Sequence, residues 1–318
     1  MKMLLKNGKD LSKAILGFMQ NSEHIDIFAP YIKLATLQSL INNHNNCSKV
    51  FVRWEPKDLI TGASDIEIYP YLKNKNIVLF RNPRIHLKAY LSSKSCLLTT
   101  ANISSRALDL PSTQSPNYEI GTIVENLTIQ DRLYFKSIEQ ESILITDKVF
   151  DQIKEQLEKH HFREDEEFKI EISSADKDFL VSALPMSYSI SRLVSNYESI
   201  ETASPQELDC LIHDLSLYNI PLGLGNSEML QKLTQSFFNH KFIQAFLRNL
   251  GIKDEIYFGE AKSWIQKNCA NVPIPRRWEL TENTQILFRW IVELSKGQYK
   301  VDRPNYSERL YKINLHDD

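Results

Sequence analysis

The sequence predicts an α/β fold, a mixed β-sheet flanked by helices, followed by a second, mainly α-helical C-terminal domain. Three observations carry that expectation. Between about residues 20 and 145, short β-branched and aromatic runs alternate with stretches of helical spacing, the mark of strands linked by helices. Beyond about residue 176 the apolar residues recur mostly at helical spacing. Between these regions, Asp151 to Ala175 holds 8 acids against 4 bases, including Glu164-Asp165-Glu166-Glu167, which reads as a boundary. The expected division is therefore a first domain at 1–160, an acidic linker at 161–175 and a helical targeting or partner-binding domain at 176–318.

Taken in order, Ile25 to Tyr31 reads as a strand ending at a Pro-Tyr turn, and Val50 to Trp54 as another. Between them Leu34, Leu37, Leu40 and Ile41 fall on one helical face. A short helical stretch leads to the strand Ile77 to Phe80, then Ile85 to Leu91 and Leu97 to Asn102 follow as strands. Glu119 to Glu125 closes the sheet, and 128–140 is helical. Asp147 is placed as the N-cap of a helix through about His160, with Val149, Phe150, Ile153 and Leu157 on one face. In the second domain Ser204-Pro205-Gln206-Glu207 is a capping box with Pro at the first helical position. One long helix is expected from Asn226 to Asn249, stopped by Gly251, and another from Thr281 to Ser295.

Within this frame the stretch from Ile85 to Gly121 holds the chemistry. On a strand, a period of two points His86, Lys88 and Tyr90 to one face, so a nucleophile and a cation share a pocket, with Tyr90 expected to pack. A neutral imidazole nitrogen can attack phosphorus and form a covalent phosphohistidine. Lys88 offers a point charge to the phosphate oxygens, and the Asn102 amide a neutral donor beside it. Glu119 is suited to accept a hydrogen bond from the other ring nitrogen of His86, fixing its tautomer. This set requires no metal and no cofactor.

These residues resemble the phospholipase D superfamily, whose signature is His-x-Lys, a small-residue turn ending Ser-x-Asn, and a downstream Asn-x-Glu. His86 and Lys88 fit the first element, Thr100 and Asn102 the second with Thr for Ser, and Asn117 and Glu119 the third. The family's Asp five residues after the Lys falls here on Ser93, a departure that argues against a lipid-modifying member more than against catalysis. The layout looks like the phospholipase D-like nucleases and restriction endonucleases, over roughly residues 20 to 145. The resemblance implies catalytic roles for His86, Lys88, Asn102 and Glu119, and places Thr100, Ser104, Asn117 and Arg53 on the substrate side.

A second His-x-Lys is absent: His160-His161, His213, His240-Lys241 and His316 all lack the spacing. Phospholipase D-type catalysis uses two histidines across the scissile phosphate, one as nucleophile and one as general acid. The economical expectation is a homodimer with a shared active site on its twofold axis. Such a dimer with one site cuts one strand at a time.

Composition bounds the rest. With 42% hydrophobic and 25% charged residues in 318, the chain is ordinary for a globular protein of two domains. No apolar run reaches about 18 residues, so no transmembrane helix and no membrane partner are expected. Met1 to Lys6 is too short in its apolar part for a secretion signal, and Cys47, Cys96, Cys210 and Cys269 are scattered as in a reduced, cytoplasmic protein without zinc.

The net charge of -2 divides unevenly: residues 1–150 hold 18 Lys and Arg against 14 Asp and Glu, leaving 20 against 26. A basic pocket of Lys88, Arg53, Arg81, Arg84 and Arg106 is expected to follow a phosphate backbone. The segment Pro273 to Trp278 and the tail Lys300 to Lys312 are further candidates for contact with nucleic acid. With no phosphate-binding glycine loop in the chain, a helicase or ATPase partner would come from elsewhere. The resulting expectation is a metal-independent DNA nuclease of restriction or anti-phage defence. The alternatives are a phosphatidyl-transfer or lipid phosphodiesterase, and a non-catalytic assembly subunit.

Overall fold

The computed structural model describes residues 4–6, 8–42, 46–111, 115–159, 179–250, 254–270 and 279–313. The chain groups into two compact units, one of Met1–Asp131 with Glu141–Asp176, the other of Arg132–Gln140 with Lys177–Asp318. The acidic linker and the Pro273 to Trp278 segment lie outside the described residues, as does Gly251.

The first unit is a mixed sheet with helices packed on it. In chain order its elements are β1 (Leu5–Lys6), α1 (Gly8–Gln20), β2 (Ile25–Phe28), α2 (Leu34–Ile41), β3 (Cys47–Val52), α3 (Pro56–Ile60), α4 (Ile68–Asn74) and β4 (Val78–Arg81). There follow β5 (Ala89–Leu91), β6 (Ser95–Thr99), α5 (Ser105–Leu108), β7 (Ile120–Glu125), the start of α6 (Ile129–Gln140), whose residues Arg132–Gln140 belong to the second unit, β8 (Ile143–Leu144) and α7 (Asp147–Lys159). The strands line up as β1-β7-β6-β5-β2-β3-β4-β8. Only β2, β3 and β4 run parallel to their neighbours, each step being a strand-helix-strand crossover, and all other pairings are antiparallel.

Strand alternation gives the sheet two apolar faces. Ile27, Val50, Val52, Leu79, Tyr90 and Leu97 enter one core with Leu11, Ile15 and Met19 of α1 and Val149 and Ile153 of α7. On the opposite face Phe28, Phe51 and Phe80 stand in register across the three parallel strands, their rings stacked at 4.3 and 4.9 Å. Such pairs contribute about 0.5–1.5 kcal/mol beyond their burial.

Two expectations for this unit are corrected. Regular strand covers only Ala89–Leu91, with Ile85 to Lys88 outside the β2–β5 pairing, because β2 ends at Phe28 and Pro30 beyond it has no N–H to give. The α7 cap is Thr146, whose hydroxyl accepts from Val149 N at 3.3 Å. Asp147 instead takes the Tyr69 hydroxyl at 3.0 Å and the Lys73 ammonium at 2.6 Å.

The second unit is mainly helical: β9 (Phe179–Leu180), α8 (Ile190–Glu198), α9 (Pro205–Leu217), α10 (Asn226–Asn239), α11 (Lys241–Asn249), β10 (Glu255–Tyr257), α12 (Phe258–Asn268), β11 (Cys269–Ala270), α13 (Glu279–Leu294), β12 (Tyr299–Asp302) and β13 (Arg309–Lys312). The Ser204–Glu207 capping box opens α9 with both of its hydrogen bonds present. The single helix expected over Asn226 to Asn249 is two, broken at His240, whose extended backbone (φ -66°, ψ 130°) lets α10 and α11 both turn their aromatic faces inward. Leu233, Phe237, Phe242 and Phe246 then share one core with Trp290. Asp214, fully buried on α9, accepts from the N–H groups of Met186 and Ser187 at 2.8 and 2.7 Å.

Candidate active site

Strand register brings the candidate residues to one end of the first unit's sheet. Phe28 pairs with Ala89, Ala89 with Leu98, and Thr99 with Gly121. The residues just past these pairs are Tyr31 after β2, Arg53 after β3, His86 and Lys88 before β5, Thr100 and Asn102 after β6, and Asn117 and Glu119 before β7. Additional backbone bonds tie the corner together: Thr99 N donates to Lys88 O at 3.1 Å, and Thr100 N to Ile120 O at 2.9 Å. Ile103 N donates to Tyr31 O at 3.2 Å, and Lys33 N to Ile103 O at 2.8 Å, so the Tyr31 and Asn102 segments run side by side. The carboxyl ends of parallel strands are where ligands commonly bind in open α/β sheets.

His86 is exposed at this edge, and its ring has no hydrogen-bond partner among the described residues. The Glu119 carboxylate expected to orient it is engaged elsewhere: it accepts from the Thr100 hydroxyl and, at 3.5 Å, from Asn117 Nδ2. The reason lies in register. Thr100 faces the β7 entry directly, also taking Ile120 N at 3.0 Å, so the donor that reaches Glu119 lies just past the end of β6.

Lys88 donates to the carbonyl of His86 at 3.2 Å. Partial burial pulls its ammonium below the usual lysine range, with Glu119 opposing that shift and the charge of Arg53 adding to it. Asn102 is half-buried, and its Oδ1 is fully shielded with no partner among the described residues. A buried unpaired amide oxygen costs free energy unless a donor arrives, so this atom has the character of a ligand group awaiting its donor.

Arg53 is the most constrained residue of the group. Its Nε donates to Asp58 Oδ2 at 2.8 Å, its Nη2 to Asp58 Oδ1 and to the Tyr31 hydroxyl, the latter at 2.7 Å. The guanidinium also lies over the Tyr31 ring, 4.7 Å from its centroid. Asp58 is 2% exposed and itself accepts from Glu55 N at 3.1 Å. These bonds hold the arginine firmly in its charged form. Asp58 and Tyr31 were not singled out as site residues from the sequence. The five-residue spacing of Arg53 and Asp58 was a usable signal, whereas Tyr31 comes from another strand and has none.

The basic pocket is smaller than expected. Lys88 and Arg53 influence each other, but Arg81 is buried with its Nε on the Trp54 carbonyl at 2.9 Å, Arg84 is paired with Glu141 at 2.6 Å, and Arg106 is exposed on α5. Ser104, expected to meet substrate, is the N-cap of α5, its hydroxyl accepting from Ala107 N. In the tail, Arg303 pairs with Glu308, and Arg309 with Glu255 and Asp302, so neither is an uncommitted charge for nucleic acid. Among the described residues no three His, Cys, Asp or Glu side chains gather as a metal site requires, and no helix is long and apolar enough to cross a membrane.

No protein-family model and no curated protein matches the sequence. Among solved structures the chain is similar to a phosphatidylserine synthase from Haemophilus influenzae Rd KW20, at 15% identity and a TM-score of 0.36, over 43% of this chain and 36% of that one. It is also similar to TrmBL2, an archaeal chromatin protein with a novel mode of DNA binding, at 11% identity and a TM-score of 0.32, over 46% of this chain and 55% of that one. The chain thus spans about a third of the first neighbour's length and about half of the second's.

Proposed function

We propose that the chain is a phosphodiesterase that cleaves DNA through a phosphohistidine on His86. The observation that supports this reading is the convergence of His86, Lys88, Asn102 and the Thr100–Glu119 pair on one end of one sheet, from three separate segments. In the first step a ring nitrogen of His86 bonds to phosphorus, the bond from phosphorus to the leaving oxygen breaks, and that oxygen takes up a proton. In the second, water attacks the phosphohistidine, releasing the imidazole and a phosphomonoester. Lys88 and Asn102 stabilise the charge on the non-bridging oxygens in both steps.

One chain supplies one such histidine, so the proposed enzyme is a homodimer in which His86 of the partner subunit is the general acid. The mechanism needs no metal. Restriction or anti-phage defence, beside a helicase or ATPase, is the setting that the resemblance to phospholipase D-like nucleases suggests.

Purified protein incubated with plasmid DNA in excess EDTA is expected to nick or cut it, and His86→Ala to abolish the activity. Labelled DNA is expected to leave a covalent adduct on a denaturing gel run without acid. Cleavage that appears only with a divalent metal sinks the phosphohistidine route. Release of phosphatidic acid from vesicles points instead to a lipid enzyme, and inertness in both assays to an assembly subunit.

A further inference from the structure

We infer that Arg53 and Tyr31 form a second anion-binding corner, which holds the phosphate adjoining the scissile one and so selects a polymeric phosphodiester, a nucleic acid strand, over a single diester. The inference rests on the phosphodiesterase reading and names the substrate class of that site.

Position comes first. Arg53 follows β3, which lies two strand spacings from β5 and its His86 and Lys88, about 10 Å at the backbone. That is near enough for Lys88 to feel the arginine's charge and far enough for the two cations to serve different phosphates.

Donor accounting comes second. A guanidinium has five N–H groups. Asp58 and Tyr31 take Nε and Nη2, and the Nη1 pair has no acceptor among the described residues. The Tyr31 hydroxyl accepts from Arg53, and its own O–H has no acceptor among the described residues either. Three donors are therefore unspent beside the reacting centre, on a side chain that keeps 20% of its surface open to solvent.

Rigidity comes third. Trp54, next to Arg53 and completely buried, has φ of 46°, a left-handed conformation that a bulky residue adopts at a cost of about 1–3 kcal/mol. It turns the chain so that the Arg53 fork meets Asp58 from one side while the ring of Tyr31 backs it from another. Tyr31 is fixed in turn by Ile103 N on its carbonyl, beside Asn102. An ion pair serving stability alone needs neither the strained turn nor the leftover donors. A preorganised phosphate clamp uses both.

Charge sets the limits of the clamp. Asp58 compensates Arg53, and Glu55, 3.6 Å from Nε and 46% exposed, opposes an incoming anion. The corner therefore binds through oriented donors more than through net charge, and Glu55→Gln should strengthen it.

The test has two arms. In the first, full-length His86→Ala protein, which leaves DNA uncut, is titrated with a fluorescent oligonucleotide over a range of salt. Arg53→Lys, which keeps the charge and loses the fork, and Tyr31→Phe, which keeps the ring and loses the donor, should each weaken binding about tenfold. Arg53→Gln should lower the salt slope by about one, and Glu55→Gln should tighten binding. In the second arm, enzyme with His86 intact is assayed on the oligonucleotide and on bis(p-nitrophenyl) phosphate, and Arg53→Lys and Tyr31→Phe should raise KM for the first while leaving the second within about twofold. Equal loss on both substrates places Arg53 on the scissile phosphate and overturns the inference, as does oligonucleotide binding that ignores all these substitutions. Wild-type protein that cleaves neither substrate defeats the phosphodiesterase reading, while the binding arm still decides the corner.

Discussion

The carboxylate of Glu119 takes its hydrogen bond from the hydroxyl of Thr100, which lies against Ile120 just past the β6–β7 ladder, and not from His86. Among the described residues the imidazole has no hydrogen-bond partner, and the acid that a histidine nucleophile usually leans on precedes β7, two strands from β5. Thr100 sets where the Glu119 charge stands relative to Lys88, whose ammonium that charge supports, and in the proposed reaction it acts as a positioning residue.

Thr100→Val keeps the shape of the side chain and removes that bond. DNA cleavage should slow about tenfold, corresponding to about 1.4 kcal/mol for a hydrogen bond to a charged group at a partly open site. Thr100→Ser should restore most of the rate. Steady-state kinetics on plasmid nicking, with circular dichroism to confirm folding, checks this, and an unchanged rate in Thr100→Val removes Thr100 from the site.

The Lys88 ammonium should titrate below an ordinary lysine, since desolvation favours its neutral form. Glu119 raises its value and Arg53 lowers it, so Glu119→Gln should move the titration further down and Arg53→Gln should move it up. NMR of 13C-labelled lysine follows this without any need for activity. Shifts in the same direction for both variants contradict the arrangement of charges.

Gly121 sits in the β6–β7 ladder opposite Thr99, where an added Cβ would lie 2.8 Å from Leu11 Cδ1 and 3.0 Å from the Leu98 carbonyl oxygen. Leu11 is completely buried and has little room to give. Gly121→Ala should destabilise the protein by about 1–3 kcal/mol in denaturant unfolding and lower activity through Glu119, two residues away. Stability equal to wild type means the strand simply shifts.

Burial pushes the Asp214 carboxyl up to about 7, with the hydrogen bonds from Met186 and Ser187 pulling the other way. Its folded value lies above the unfolded one near 3.8, so the native state binds more protons between the two. Stability should therefore fall as pH rises across that window, by up to about 1.4 kcal/mol per unit. Asp214→Asn should be less stable overall, since its amide cannot accept from both N–H groups, but should lack this slope. Denaturant midpoints at pH 5 and 7.5 compare the two proteins, and equal slopes show that Asp214 does not carry the effect.

Much of this was legible in the chain itself. Residues three and four apart placed the apolar faces of α2 and α7, Ser204 and Glu207 marked the start of α9, and alternation located β2, β3, β4, β6 and β7 to within a few residues. His86, Lys88, Asn102 and Glu119, read as one ordered pattern along the chain, flank the same end of the sheet. What misled was also local. The apolar pattern through His240 reads as one helix, yet a single extended residue there serves the core better than an unbroken axis. Likewise, alternation through Ile85 to Lys88 reads as strand, and the β2–β5 pairing stops at Phe28 and Ala89.

The sequence by itself determined the elements and the inventory of reactive groups, because propensity, capping and periodicity act over neighbours a few residues apart. Only the tertiary structure decided which groups spend their charge on each other. It gave Glu119 to Thr100, locked Arg53 between Asp58 and Tyr31, and buried Arg81 on the Trp54 carbonyl. Those pairings depend on strand register and on competition among donors and acceptors brought together from distant segments, and no spacing along the chain encodes the outcome of that competition.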